Sequence, residues 1–274
     1  MIIYGTRNYF RTQSVTQHGF CTACSRLSKL RSYYASPFVH LYFIPLIPIG
    51  VRTRIHKMCD KCSQGQSIEP TAFDSIIARF KDQSADAIIA LKSGDVNFQP
   101  DDASEQTIDC VEFLHSVMDW LYASNNIAFC EGMLSQLSEP ECRYAQFMLQ
   151  STLETFRGKV DNAIQSYEQA SQKNPQSYQA HHQRGQLLVA RKRVREAIEA
   201  YEAAITRATA QQQYQLNLEL VDIQTAAKMY TEAAARFDGL IATNPELLNN
   251  AAFMKLVNKN KKKAGIKFAT KASG

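Results

Sequence analysis

One stretch of this 274-residue chain returns almost unchanged after a fixed interval. Ala163, Ile164, Tyr167 and Ala170 recur as Ala197, Ile198, Tyr201 and Ala204, each 34 residues later. Within each copy the small and aromatic residues fall at i, i+4 and i+7, the spacing of one helix face. A unit of this length cannot bury its own apolar stripe, so neighbouring units must stack. With Tyr144 as the first position, Gly158 falls in the turn between two helices and Pro175 closes the unit. A second unit from Tyr178 places Gly185 on its first helix, where close approach of another helix favours a residue without a side chain. After a shift of two residues a third unit starts at Tyr214. It has Tyr230 at the turn, then Ala233, Phe237 and Leu240, and closes on Asn244 and Pro245.

Residues 144–245 therefore resemble the tetratricopeptide-repeat family, although Phe147, His181 and Asn217 stand where that family places Trp. A degenerate unit is expected before them. Ile108 to Tyr122 and Ile127 to Leu137 read as helices around an Asn125-Asn126 turn, with Ala128 at the small-residue position. Glu246 to Val257 should form a last helix over the exposed end. Pro70 to Leu91 also reads as a helix, with Asp74 in its first turn and Gly94 past its end, followed by a loop to Thr107. The resemblance implies a partner groove built from the first helix of each unit. Its lining would include Met148 and Thr152, then His182, Gln186 and Val189, then Leu218 and Asp222. The family's peptide clamps hold a C-terminal carboxylate with Lys and Asn. Here Met148, His182 and Leu218 occupy the Lys-type positions, and Thr152, Gln186 and Asp222 the Asn-type ones. A ligand of another kind is implied, and adjacent His181 and His182 are expected to be ordinary repeat residues.

The front of the chain carries a different signal. Cys21 and Cys24, then Cys59 and Cys62, form two Cys-x-x-Cys pairs 34 residues apart. Two intervening residues let one tight turn aim both sulfurs at a single ion, and two such turns complete a tetrahedral S₄ shell that suits Zn²⁺ or Fe. A closed shell leaves no position for water or substrate, so the expected role is structural. A redox dithiol would need a βαβ setting that is missing here. Between the pairs, Val39 to Val51 is aromatic and β-branched with Pro45 and Pro48, and Val51 to Met58 partly alternates, so a small sheet is expected. Met1 to Tyr4 offers a further strand. With its Phe43-Ile44-Pro45-Leu46-Ile47-Pro48-Ile49-Gly50 segment, the region 1–66 resembles bacterial-type zinc-ribbon domains with two rubredoxin-like Cys₄ knuckles. That resemblance implies one structural zinc and no particular activity. His18, His40 and His56 are expected to be ordinary sheet residues.

Charge divides the chain into blocks. Residues 1–69 hold nine Lys/Arg against two Asp/Glu, whereas 70–142 hold three against thirteen. Such neighbours can dock on one another or recruit partners of opposite sign. The last twenty residues carry seven Lys and no acid, a basic tail. In the front block Arg and Lys interleave with Tyr9, Phe10, Tyr33 and Tyr34, a composition that also suits single-stranded nucleic acid. No phosphate-binding glycine loop, H-E-x-x-H or G-x-S-x-G motif occurs. Cys110, Cys130 and Cys142 are expected to be buried apolar residues. The longest apolar run, Pro37 to Val51, is broken by prolines and too short to span a bilayer, and the start lacks a secretion signal. The expected organisation is a zinc ribbon (1–69), a helix and acidic linker (70–107), and an all-α solenoid (108–258). The solenoid comprises 108–142, 144–177, 178–213, 214–247 and a capping helix, and a tail (259–274) follows. The expected function is a cytoplasmic, non-catalytic adaptor for a protein or peptide partner without a membrane span. A nucleic-acid-binding ribbon is the alternative.

Overall fold

A computed structural model describes residues 4–41, 44–100 and 107–266. It shows the expected α+β order, an N-terminal antiparallel sheet followed, among the described residues, by ten α-helices. The chain divides into two compact units, Met1–Lys173 and Asn174–Gly274.

In the first unit, β1 (Tyr4–Phe20) and β2 (Leu27–Leu41) form a long hairpin. The strands β3 (Ile44–Pro48), β4 (Thr53–Cys59) and β5 (Gln66–Ile68) complete the sheet. Its order is β1-β2-β4-β5, with β3 pairing β2 alongside β4. The strand expected near Met1 begins at Tyr4; Met1 to Ile3 lie outside the described residues. It runs far longer than the sequence suggested. Two register shifts interrupt its pairing with β2, between Tyr9 and Thr12 and between Thr12 and Val15. These breaks hide the alternation that would advertise a strand.

The helix α1 (Pro70–Ser93) follows, with Pro70 opening it and Gly94 in the left-handed conformation closing it. The short strands β6 (Asn97–Phe98) and β7 (Ile108–Asp109) pair inside the expected loop. The helices α2 (Cys110–Ala123), α3 (Ile127–Gln136), α4 (Arg143–Phe156) and α5 (Val160–Lys173) end the unit. Asp109 caps α2 by accepting from the N–H of Glu112.

The sheet is bolted to these helices by a device in β4. The register passes from Arg31↔Met58 to Tyr33↔Ile55, so His56 and Lys57 together oppose Ser32, and Lys57 adopts φ 54°. A bulge of this kind lets two consecutive side chains address the same neighbour. The His56 ring stacks on Trp120 of α2 at 4.3 Å, and Lys57 pairs with Asp119. Asp119 also accepts a hydrogen bond from Gln17 of β1 at 2.8 Å. Arg54 donates to the carbonyls of Gln13 and of Ala123, the last residue of α2. It lies over the rings of Tyr34 and Phe73 at 4.7 and 4.9 Å. The basic and acidic blocks therefore meet through carbonyl and ring contacts as well as through the Lys57–Asp119 ion pair.

The second unit holds α6 (Tyr178–Ala190), α7 (Val194–Ile205), α8 (Ala210–Ala226), α9 (Tyr230–Thr243) and α10 (Ala251–Lys263). Each hairpin of both units turns on one left-handed residue: Asn125, Gly158, Lys192 and Lys228. These lie 33, 34 and 36 residues apart, so the repeat spacing extends back to the degenerate α2–α3 pair and the two-residue shift reappears before α9. Three details differ from expectation. The third unit's first helix starts at Ala210, because Thr209 and Gln212 form a reciprocal capping box. Tyr230 opens α9, and Lys228 makes the turn. The last helix starts at Ala251, after a 3₁₀ turn over Pro245–Asn249, rather than at Glu246, and it passes Val257 to take in Lys259 to Lys263. Lys261 pairs with Asp238 at 2.5 Å, and buried Asn260 accepts from Thr225 at 2.9 Å. The remainder of the basic tail, 267–274, lies outside the described residues.

Within the second unit, side chains bond one repeat apart. Gln212 donates to Tyr178 and Arg236 pairs with Glu202, both 34 residues away. Gly185 approaches Tyr201 so closely that a Cβ would stand 2.7 Å from the ring. These contacts give the stacked helix hairpins of a tetratricopeptide-type fold.

Candidate metal centre and interaction surface

The two cysteine pairs fold into matching turns. In one, the Ser25 N–H donates to the Cys21 carbonyl and the Cys21 N–H to the Arg26 carbonyl. In the other, Ser63 donates to Cys59 and Cys59 to Gln64. Ser25 and Ser63 both take positive φ, 52° and 57°. Register brings the turns together, since β2 pairs Leu30 with Cys59. The four sulfurs lie within 4.8 Å of one another, with Cys21 and Cys62 at 3.6 Å and Cys24 and Cys59 at 3.9 Å.

The donor chemistry fits a metal ion. Desolvation opposes ionisation of Cys59, but N–H groups of Cys62 and Lys61 outweigh it and bring the thiol to about 6. At Cys62 the Gln64 N–H works the same way, yet desolvation and the three neighbouring sulfurs push the thiol up to about 12. Four thiolates this close repel one another strongly, and a bound cation removes that conflict. The four cysteines can therefore hold a metal ion. The other three are buried, as expected. Desolvation raises Cys110 to about 11 and Cys130 to about 12, far from the thiolate a nucleophile needs.

Of the expected groove residues, Met148 and Thr152 belong to the first unit and are buried there. Thr152 donates to the Met148 carbonyl, and its hydroxyl lies 2.9 Å from Nδ1 of His115 on α2. Desolvation alone holds that half-buried ring neutral, at about 4. Neither residue offers a partner a free group.

The other five lie in the second unit. His182 reaches Glu219 at 2.8 Å and Gln186 at 3.0 Å, while Tyr201 donates to the same Glu219 oxygen at 2.7 Å. Desolvation of Glu219 is outweighed by these bonds, and its carboxyl is held below the usual range. Val189 and Leu218 are half-buried, and Asp222 is exposed with its pKa raised by desolvation and by Glu219. Sequence reasoning missed Glu219. Its partner stands 37 residues away, the same separation as Thr152 from His115, which is one repeat plus nearly a helical turn.

A cleft of about 1120 Å³ opens elsewhere on this unit. Ile198 and Glu202 of α7, Tyr214 and Asn217 of α8, and Arg236 and Leu240 of α9 line it. None of the expected groove residues does. Arg236 donates to Asn217 at 2.7 Å and pairs with Glu202, so the cleft's charged groups are held in place.

No family model matches the chain, and no curated protein matches it. Solved structures do. The TPR2B domain of yeast Sti1, in a complex with pHsp70, is 18% identical over 44% of this chain and 98% of its own, with a TM-score of 0.36. A thermophilic TPR protein of Thermus thermophilus is 14% identical over 70% and 94%, with a TM-score of 0.35. MamA protein is 15% identical over 65% and 96%, with a TM-score of 0.37. Likenesses at this level decide neither family nor activity; the hairpins' own spacing and bonding define the architecture. No helix among the described residues is long and apolar enough to cross a membrane.

Proposed function

We propose that the chain is a non-catalytic, cytoplasmic adaptor that captures a protein segment on its helical repeats and carries one structural zinc ion. Cys21, Cys24, Cys59 and Cys62 would hold the ion, which cross-links the two turns and leaves no coordination position for catalysis. The cleft on α7, α8 and α9 carries the reading. It combines apolar walls with fixed charged groups, the chemistry by which helical repeats take extended or helical peptides. The face carrying His182, Gln186, Val189, Leu218 and Asp222 is the second surface of the same unit.

The test is capture of partners from native lysate, with and without nuclease, by the full-length protein and two variants. Gly239 lines the cleft, and a Cβ there meets nothing within 4 Å, so the side chain of Gly239→Arg starts in open space and projects into the cleft. Asp222→Arg alters the other face at an exposed residue. A nuclease-resistant partner lost with Gly239→Arg supports the cleft; loss with Asp222→Arg alone moves the site to the second face. A catch abolished by nuclease overturns the adaptor reading in favour of nucleic acid. For the metal, Co²⁺ should give the intense charge-transfer absorption of tetrahedral thiolate coordination, absent in Cys59→Ser.

A further inference from the structure

Away from the cysteine turns, the sheet presents large apolar side chains to solvent. Ile44, Leu46 and Ile47 of β3 are 62%, 54% and 61% exposed, and Val51 just beyond is 75% exposed. Four neighbouring aliphatic residues at this exposure are unusual for a soluble surface and mark a docking site.

Three observations select the occupant. First, β3 pairs with β2 alone, and Pro45 and Pro48 remove N–H donors from it, so an added strand finds no regular ladder there. Second, residues 1–59 contain eight Lys/Arg and not one Asp or Glu. Arg52, next to Val51, is exposed, and it is fixed on the sheet by its bond to Thr12 and its position 4.2 Å over the Tyr34 ring. Lys57 is paired with Asp119 and Arg54 is buried, but Arg11, Arg26, Lys29, Arg31 and Arg52 remain exposed, so a second copy would set one positive sheet against another. Third, Tyr33 is buried beneath Arg11, and Tyr34 lies under Arg52 and Arg54. Those rings are already covered, so stacking of bases has no open platform on them.

An aliphatic patch beside an exposed arginine, on strands that carry no acidic residue, fits an anionic lipid bilayer. We propose that β3 and Val51 form a membrane-surface anchor. Ile44, Leu46, Ile47 and Val51 enter the boundary between headgroups and acyl chains, Arg52 faces lipid phosphates, and the other exposed basic residues of the sheet add longer-range attraction. Neither contribution suffices alone: a few aliphatic side chains bind marginally, and surface charge is screened by salt. Together they give reversible attachment without a membrane span. The anchor does not depend on the adaptor reading.

The test is sedimentation of the zinc-loaded full-length protein with phosphatidylcholine vesicles, with or without phosphatidylglycerol. The protein should pellet with the anionic vesicles, less so as salt rises. The variant Ile44→Ser/Leu46→Ser/Ile47→Ser should bind about tenfold more weakly with an unchanged circular dichroism spectrum. Arg52→Glu should weaken binding in the same direction without touching the apolar residues. Replacing Lys259, Lys262, Lys267 and Lys271 by Gln should leave binding in place. Failure of the wild type to pellet, equal binding by the serine variant, or loss confined to the Gln variant would overturn the proposal. So would preferential binding to single-stranded RNA, or self-association lost in the serine variant without vesicle binding.

Discussion

Gly185 measures how little space the repeat leaves between its helices. The Tyr201 ring it faces is buried and tethered through its hydroxyl to Glu219, so it cannot swing aside. Gly185→Ala should cost the second unit about 1–3 kcal/mol by overpacking, read as a lower denaturation midpoint. Tyr201→Leu in the same background should recover part of the loss, and an unchanged midpoint in the single variant would show that the ring yields. His115 is the corresponding point of sensitivity in the first unit, through pH. Its folded pKa of about 4 lies below the unfolded histidine value near 6.5. As pH falls past 6.5 the unfolded chain takes up a proton that the folded chain refuses. Stability is therefore complete above 6.5 and is lost between there and about 4, on the order of 3 kcal/mol. Denaturation at neutral and mildly acidic pH should show this loss, and His115→Asn should shrink it. Protonation of the cysteines adds equally to both proteins, so identical slopes would count against His115.

At the level of elements, the join between sheet and helices depends on Arg54. Its guanidinium serves the buried carbonyl end of α2, where a positive charge also complements the helix dipole. Arg54→Met keeps the packing length but leaves the carbonyls of Ala123 and Gln13 without their donor, at a cost of about 2–3 kcal/mol. Arg54→Lys should recover little, because one ammonium group cannot reproduce the fork. Hydrogen exchange should show the last turn of α2 opening first; unchanged protection there would place the role of Arg54 elsewhere. None of this was legible in the sequence. The helix hairpins and the cysteine turns were, because Ala163, Tyr167 and Ala170 recur at a fixed spacing and the thiols come in pairs. The residues that turn the hairpins were half visible: Gly158 and Asn125 advertise a left-handed backbone, but Lys192 and Lys228 do not. The start of α8 was misplaced because Tyr214 matched the repeat, while the capping signal lay upstream at Thr209 and Gln212. Glu219 and Arg54 act on partners 37 and 69 residues distant, and no local pattern records such a pairing.

For the whole molecule, the consequence is how far metal removal should spread. The sequence marked out a ribbon of its own, ending at residue 69. Arg54, His56 and Lys57 all lie within five residues of Cys59 and all engage α2, so disruption at the cysteines should reach the helices. Releasing the ion frees the Cys59 turn, and β4 then loses the geometry that presents those three side chains. The helices α1 to α5, about half of the described helical residues, lie in the same compact unit as the sheet. The helices α6 to α10 hold one another through Arg236–Glu202, Gln212–Tyr178 and Thr225–Asn260. Chelation, or Cys59→Ser, should therefore remove a substantial part of the far-ultraviolet helical signal while leaving the share owed to the second unit. Zinc should restore the chelated wild type but not the variant. An unchanged helical signal would mean that the ribbon folds alone, and complete loss would mean that the second unit cannot hold without the first. Limited proteolysis of the chelated protein should yield a resistant fragment starting near Asn174; a resistant fragment starting near Pro70 would instead support the boundary read from the sequence.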